Sequence, residues 1–104
     1  MSSLSTHVLD AALGRPAAGM DLLLTLEDGS TRPGRTNDDG RARVDADLPA
    51  GVHTVRFETG AWFAGRRRAT FYPAVTVTFA MVEGEHHHVA LLLSPFSYTT
   101  YRGS

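Results

Sequence analysis

Histidine is the side chain best suited to exchanging protons near neutral pH, and this chain of 104 residues holds five. Three are consecutive, His86-His87-His88, at the head of the apolar run Val89-Ala90-Leu91-Leu92-Leu93. Side chains on a strand alternate between faces. His86, His88, Ala90 and Leu92 therefore share one face, and His87, Val89, Leu91 and Leu93 the other. The second set is mainly apolar and suits a core. The first presents two imidazoles to a cleft or a subunit interface, with Cα atoms roughly 6.5–7 Å apart, close enough to serve one substrate or one metal. Zinc needs at least three protein ligands, so His7 or an acidic residue would have to complete such a site. His-x-His arises easily by chance where histidines are this frequent, and it is a weak metal signal.

His7 lies in Leu4-Ser5-Thr6-His7-Val8-Leu9-Asp10. Leu4, Thr6 and Val8 form one face, and Ser5, His7 and Leu9 the other. On periodicity alone a lone strand histidine is more often a surface or satisfied residue than a catalyst. Thr36-Asn37-Asp38-Asp39-Gly40 is a strong turn signal with Arg41 at its exit. A solvated arginine is the ordinary reading of such a position. The alternative is a guanidinium held so that its paired N–H donors clamp a planar, electron-rich substrate. The final Tyr98-Thr99-Thr100-Tyr101-Arg102-Gly103-Ser104 is polar, aromatic and strand-forming, so it reads as docked where a frayed end is the norm.

Composition bounds what these residues can serve. With no Cys, there is neither thiolate chemistry nor a disulfide, and the redox compartment stays open. A net charge of −1 argues against nucleic acid or an anionic membrane as main partner, and all ten basic residues are Arg. Arg66-Arg67-Arg68 reads as the wet face of a helix, since no aromatic platform accompanies it. No stretch approaches the ~20 apolar residues that span a bilayer, and the first residues carry no secretory leader pattern. One domain over residues 1–104, cytoplasmic, is the expectation. A domain of this size hides only about 60–65% of its unfolded surface as a monomer, which makes oligomerisation a natural supplement.

The elements that must position these residues are short apolar runs cut by turns, the pattern of an all-β sandwich or barrel. Strands are expected over Leu4–Asp10, Met20–Glu27, Thr31–Thr36, from Arg41 to Val44, over Val52–Glu58, Val75–Val82 and His86–Ser94, and from Phe96 to Arg102. Glu83-Gly84-Glu85 has the length of a hairpin loop. Thr59–Arg68 is the one helical candidate, with Thr59 as N-cap, Trp62 and Phe63 on its apolar face and Pro73 beyond it. Trp62, Phe63, Phe71 and Tyr72 are expected to pack around that helix.

Five segments in order carry a resemblance along essentially the whole chain. They are Leu4–Asp10 with Gly14–Gly19; Thr36–Arg41; Phe71-Tyr72-Pro73; His88-Val89 with Leu91–Phe96; and Tyr98–Ser104. In these the sequence resembles the transthyretin-like 5-hydroxyisourate hydrolases, and the closing Tyr101-Arg102-Gly103-Ser104 separates it from the hormone carrier transthyretin. The resemblance implies a two-sheet transthyretin-like sandwich of about eight strands with one short helix. It also implies a homotetramer, a dimer of dimers, with active sites in a central channel. By position it implies that His7, Arg41 and His88 are catalytic. The tail Tyr101, Arg102, Gly103 and Ser104 would close the site on substrate, with Arg102 anchoring it and His86 supporting His88.

Three positions depart from the family pattern: His87 replaces a usual aromatic, Ala90 a usual Pro, and Ala74 a usual acidic residue. None is an implied catalytic position. The implied reaction opens the six-membered ring of 5-hydroxyisourate at its N1–C6 amide, in urate breakdown, and requires neither cofactor nor metal. Two rivals stay open, a non-catalytic carrier that uses the same channel and a zinc-dependent hydrolase built on His7, His86 and His88.

Overall fold

The computed structural model describes residues 2–103 (at 45 and 46, the backbone only). Two sheets face each other. The first is built on β1 (Ser2–Asp10), which pairs on one side with β2 (Arg15–Pro16) and β5 (Arg41–Leu48). On its other side β1 pairs in parallel with β8 (His86–Ser94), and β9 (Ser97–Gly103) closes that edge antiparallel to β8. The second sheet has the order β4 (Thr31–Arg35), β3 (Asp21–Thr25), β6 (Gly51–Phe57), β7 (Val75–Met81), all antiparallel. One short helix, α1 (Thr59–Ala64), follows β6. Among the described residues this is the expected sandwich, with eight strands of five residues or more and the two-residue β2 inside what reads in sequence as a loop.

Alternation sorts the side chains. Leu4 and Val8 of β1, with Val89, Leu91 and Leu93 of β8, meet Leu22 and Leu24 of β3, Val55 and Phe57 of β6 and Val75 and Met81 of β7 in one core. Each such side chain contributes about 1.5–3 kcal/mol on full burial. Because the inner positions of β1 and β8 are committed to this core, Ser3, Ser5 and His7 and then His86 and His88 are turned to the opposite face. His87, on the core-facing side by alternation but expected at that set's frayed start, is buried, and its Nε2 accepts the Val82 N–H at 3.0 Å.

Several local expectations need correction. The Glu83-Gly84-Glu85 loop is not a hairpin: β7 and β8 belong to different sheets, so this short link crosses the sandwich. β1 takes β8 as its parallel neighbour, which leaves β7 to β6. Thr59 is the first helical residue and not the cap. Glu58 precedes it without a side-chain cap bond, and the Thr59 hydroxyl donates to the Tyr72 carbonyl at 3.4 Å.

The helix also stops well before Arg68. The Arg68 N–H bonds the Phe63 carbonyl at 3.0 Å and the Arg67 N–H the Ala64 carbonyl at 3.1 Å, with Arg67 left-handed at φ 56°. That is a Schellman closure, which satisfies the last carbonyls without Pro73. The arginines beyond it are not simply a wet face. Arg66 stacks on Trp62, and Arg68 lies over Phe63 and pairs with the buried Asp10 at 2.5 Å. Burial would raise the Asp10 carboxyl, but Arg68 and the Leu13 and Ala12 N–H groups outweigh it and hold the group below its ordinary range. Phe71, expected in the packing, is 72% exposed, while its neighbour Tyr72 packs edge-on against Tyr98.

Candidate active site

The outer face of the first sheet carries two adjacent cross-strand rows. In one, Arg41 on β5 pairs with His7 on β1, His7 with Ala90 on β8, and Ala90 with Tyr101 on β9. In the next, Arg43 pairs with Ser5, Ser5 with His88, and His88 with Gly103. A third pair, Ser3 and His86, lies beyond. Neighbouring strands stand about 4.8 Å apart, so His7 and His88, on adjacent strands and adjacent rows, share one patch with Arg41 beside it.

The turn before β5 fixes the Arg41 end. Asn37 Oδ1 accepts the N–H groups of Asp39 at 2.9 Å and Arg41 at 3.0 Å. Gly40 has φ +75°, and a Cβ there would overlap the Val8 carbonyl. Its own carbonyl accepts the Val8 N–H at 2.8 Å. Only glycine lets the turn lie this close against β1. The same turn reaches His7, whose Nε2–H donates to the Asp39 carbonyl at 3.1 Å, leaving Nδ1 without that proton.

His88 is half-buried, and Ser5 and Gly103 flank its ring. Its Nδ1 lies 2.7 Å from Ser5 Oγ. Ser5 Oγ also lies 2.8 Å from His86 Nε2, and His86 Nδ1 lies 2.5 Å from Ser3 Oγ. On the other side is Gly103, where a Cβ would overlap His88 Cδ2 and stand 3.1 Å from Cγ. The ring thus occupies space that a side chain would fill. Partial burial, and then the positive charge of Arg41 and the nearby His7 and His86, hold the His88 pKa below its ordinary 6.5. A ring so placed is neutral at pH 7 and able to accept a proton.

The structure brings His7, Arg41, His88, His86, Tyr101 and Gly103 onto this one face. Arg102 alternates away from it, opposite Val89, and its guanidinium bonds Glu85 at 3.1 Å. Ser104 lies outside the described residues. Among the described residues no three His, Asp or Glu side chains gather as a group that could hold a metal. Arg41, Ser5 and Asn37 border a cleft of about 270 Å³, whereas a cavity of about 290 Å³ that reaches His88 and Tyr101 lies between the sheets, lined also by Val77 and Phe79 of β7 and the core-facing His87 and Val89.

Sequence reasoning did not single out Ser3, Ser5 or Asn37. The signal for the serines was present, since Ser5 shares the His7 face by alternation. What it lacked was the parallel register of β1 with β8 that sets Ser5 opposite His88.

The chain compares closely with known proteins. It is 41% identical to the 5-hydroxyisourate hydrolase of Mesorhizobium japonicum, over 97% of this chain and 91% of that protein. The structure of Klebsiella pneumoniae 5-hydroxyisourate hydrolase superimposes with a TM-score of 0.91 at 41% identity, covering 100% of both chains. Sea bream transthyretin in complex with thyroxine superimposes with a TM-score of 0.84 at 34% identity, covering 96% of this chain and 93% of that one. Residues 4–103 match the HIUase/Transthyretin family as a whole. With the sandwich, the histidine face and these likenesses in agreement, the chain belongs to the HIUase/Transthyretin family.

Proposed function

We propose that this chain hydrolyses 5-hydroxyisourate to 2-oxo-4-hydroxy-4-carboxy-5-ureidoimidazoline, a step of urate breakdown. The observation that carries the reading is the shared face of Arg41, His7, His88 and Tyr101, in a chain 41% identical along its length to a hydrolase of that substrate. Ring opening needs a water activated by a base, a stabilised oxyanion and a proton for the leaving nitrogen. His7 and His88 supply the base and the proton shuttle. Arg41, a permanent cation, orients the planar substrate and stabilises charge growing on the carbonyl oxygen. Tyr101 holds substrate or water by its hydroxyl, Ser104 does the same from the end of the tail, and Arg102 keeps that tail in place through Glu85. The chain uses no cofactor in this scheme.

The face is open in a single chain, with a cleft beside Arg41 and Ser5. A homotetramer, as a dimer of dimers that stacks two such faces, would enclose the substrate and exclude bulk water. The enzyme works in the cytoplasm in this reading. The test is a spectrophotometric assay with freshly generated 5-hydroxyisourate. The wild type turns over, and His88→Ala and Arg41→Ala lower kcat/KM by about 10²–10⁴, with the oligomer unchanged by light scattering. Near-normal turnover in either variant refutes the assignment. A wild type that binds the purine but never opens it would instead mark a carrier.

A further inference from the structure

Ser5 stands between two imidazoles with one proton to give. Its Oγ is 2.7 Å from His88 Nδ1 and 2.8 Å from His86 Nε2. A serine hydroxyl has a single O–H and two lone pairs, so it donates to one of these nitrogens and accepts from the other. His86 Nδ1 is in turn bound to Ser3 Oγ. The chain Ser3–His86–Ser5–His88 is therefore polarised in one of two directions. In the first, protons point toward His88: Ser5 donates to Nδ1, and the His88 proton sits on Nε2. In the second they point away. His88 Nδ1–H donates to Ser5, Ser5 donates to His86 Nε2, and His86 Nδ1–H donates to Ser3. His88 Nε2 then offers a lone pair.

The surroundings choose between them. Nδ1 is occupied by Ser5, and among the described residues Nε2 has no hydrogen-bond partner, so Nε2 is the atom left for substrate or water. Arg41 lies on the same face, across β1 and one row from His88, and cannot lose its proton. A fixed cation in the site favours a lone pair over an N–H on the exposed nitrogen. Gly103 adds a steric constraint on the other side of the ring, because the imidazole fills the volume a Cβ would need. The hydrogen bond and the slot together fix both the ring's position and its protonated nitrogen.

We infer that Ser5 is a positioning residue which, backed by His86, holds His88 as the Nδ1–H tautomer and so makes His88 Nε2 the base. This rests on the hydrolase reading above and assigns within it the role left open between the two histidines. In the step, a water O–H bond breaks and its proton joins Nε2. The water oxygen's electron pair adds to the C6 carbonyl carbon, and the carbonyl π pair moves onto its oxygen beside Arg41. When the C6–N1 bond breaks, the Nε2 proton passes to N1 and His88 returns to its starting state. Ser5 gains and loses nothing. It keeps the bond to Nδ1 throughout.

The experiment reads the tautomer directly, by long-range ¹H–¹⁵N correlation of the histidine rings in the intact wild-type protein, alongside steady-state kinetics. In the wild type His88 is expected to be neutral at pH 7 with its proton on Nδ1. In Ser5→Ala the Nε2–H form should grow, and kcat should fall about tenfold with KM within twofold. Ser5→Thr, which keeps the hydroxyl, should restore most of the rate. A wild-type His88 protonated on Nε2 overturns the inference, and that measurement needs no variant to fold. It is equally overturned if Ser5→Ala leaves both the tautomer signal and kcat unchanged. A wild type with the expected tautomer but no turnover of 5-hydroxyisourate would sink the hydrolase reading and leave the ring geometry standing, so the two failures are distinct.

Discussion

Replacing Gly103 with alanine adds one methyl group, on an edge strand, at a point where the neighbouring ring has no room. Unbonded carbon atoms rest about 3.5–4.0 Å apart. The new Cβ would overlap His88 Cδ2 outright and press on Cγ at 3.1 Å and Nε2 at 3.3 Å. Either the imidazole retreats or the end of β9 does, by about 1 Å, a misplacement that can cost 10²-fold in rate. Both responses damage the site. A displaced ring loses the 2.7 Å bond to Ser5, and a displaced strand carries Tyr101 with it. Gly103→Ala should therefore lower kcat/KM for 5-hydroxyisourate by about a hundredfold. The fold should survive, because the change lies outside the core. The assay pairs initial rates with thermal melting followed by circular dichroism. A variant that melts like the wild type and retains activity within threefold would refute the packing argument.

Protonating His88 removes the base, so the rate should fall on the acid side, with an apparent pKa below the ordinary 6.5. Arg41→Ala removes a nearby positive charge that disfavours the imidazolium. The His88 pKa should then rise toward 6.5, seen as an upfield-to-downfield NMR titration shifted to higher pH. Arg68→Met strands the buried Asp10 carboxylate with only its backbone donors. Stability should drop by about 2 kcal/mol in urea melts, less than for a fully stranded buried charge. Because the folded-state pKa of Asp10 is depressed, its contribution is complete above the unfolded value of 3.8 and disappears as pH falls through the folded value. Acid titration of wild type and Arg68→Met should show the gap between them closing in that range.

The faces of β1 and β8 were legible because strand alternation needs only the order of residues. Leu4, Thr6 and Val8 against Ser5, His7 and Leu9, and likewise His87 against His86 and His88, fall where period two puts them. The Asn37–Gly40 turn was legible from its residue types. What alternation cannot supply is which strand neighbours which, and with what register. The link 83–85 has hairpin length, yet it joins the two sheets, a choice made by the whole set of pairings. The Ser5–His88 bond was hidden for the same reason, since the two residues are 83 positions apart. The helix end was missed through local chemistry: Arg67 adopts a left-handed turn usually left to glycine, and Arg68 is drawn to Asp10. The family resemblance supplied the substrate. The residues alone stopped at a polar, histidine-bearing face.

The parallel pairing of β1 with β8 also has a consequence in time. Ser5 and His7 are made some eighty residues before His88, so the face has no existence until β8 has followed β1 out of synthesis. Pairings between such distant segments are slow to form. Until β8 arrives, β1 presents an open edge of the kind that invites association with other chains. Alternate positions of that waiting strand are Ser3, Ser5 and His7. The polar side chains that line the histidine face of the finished sheet also keep that face of the unfinished one compatible with water, so one set of residues meets both demands.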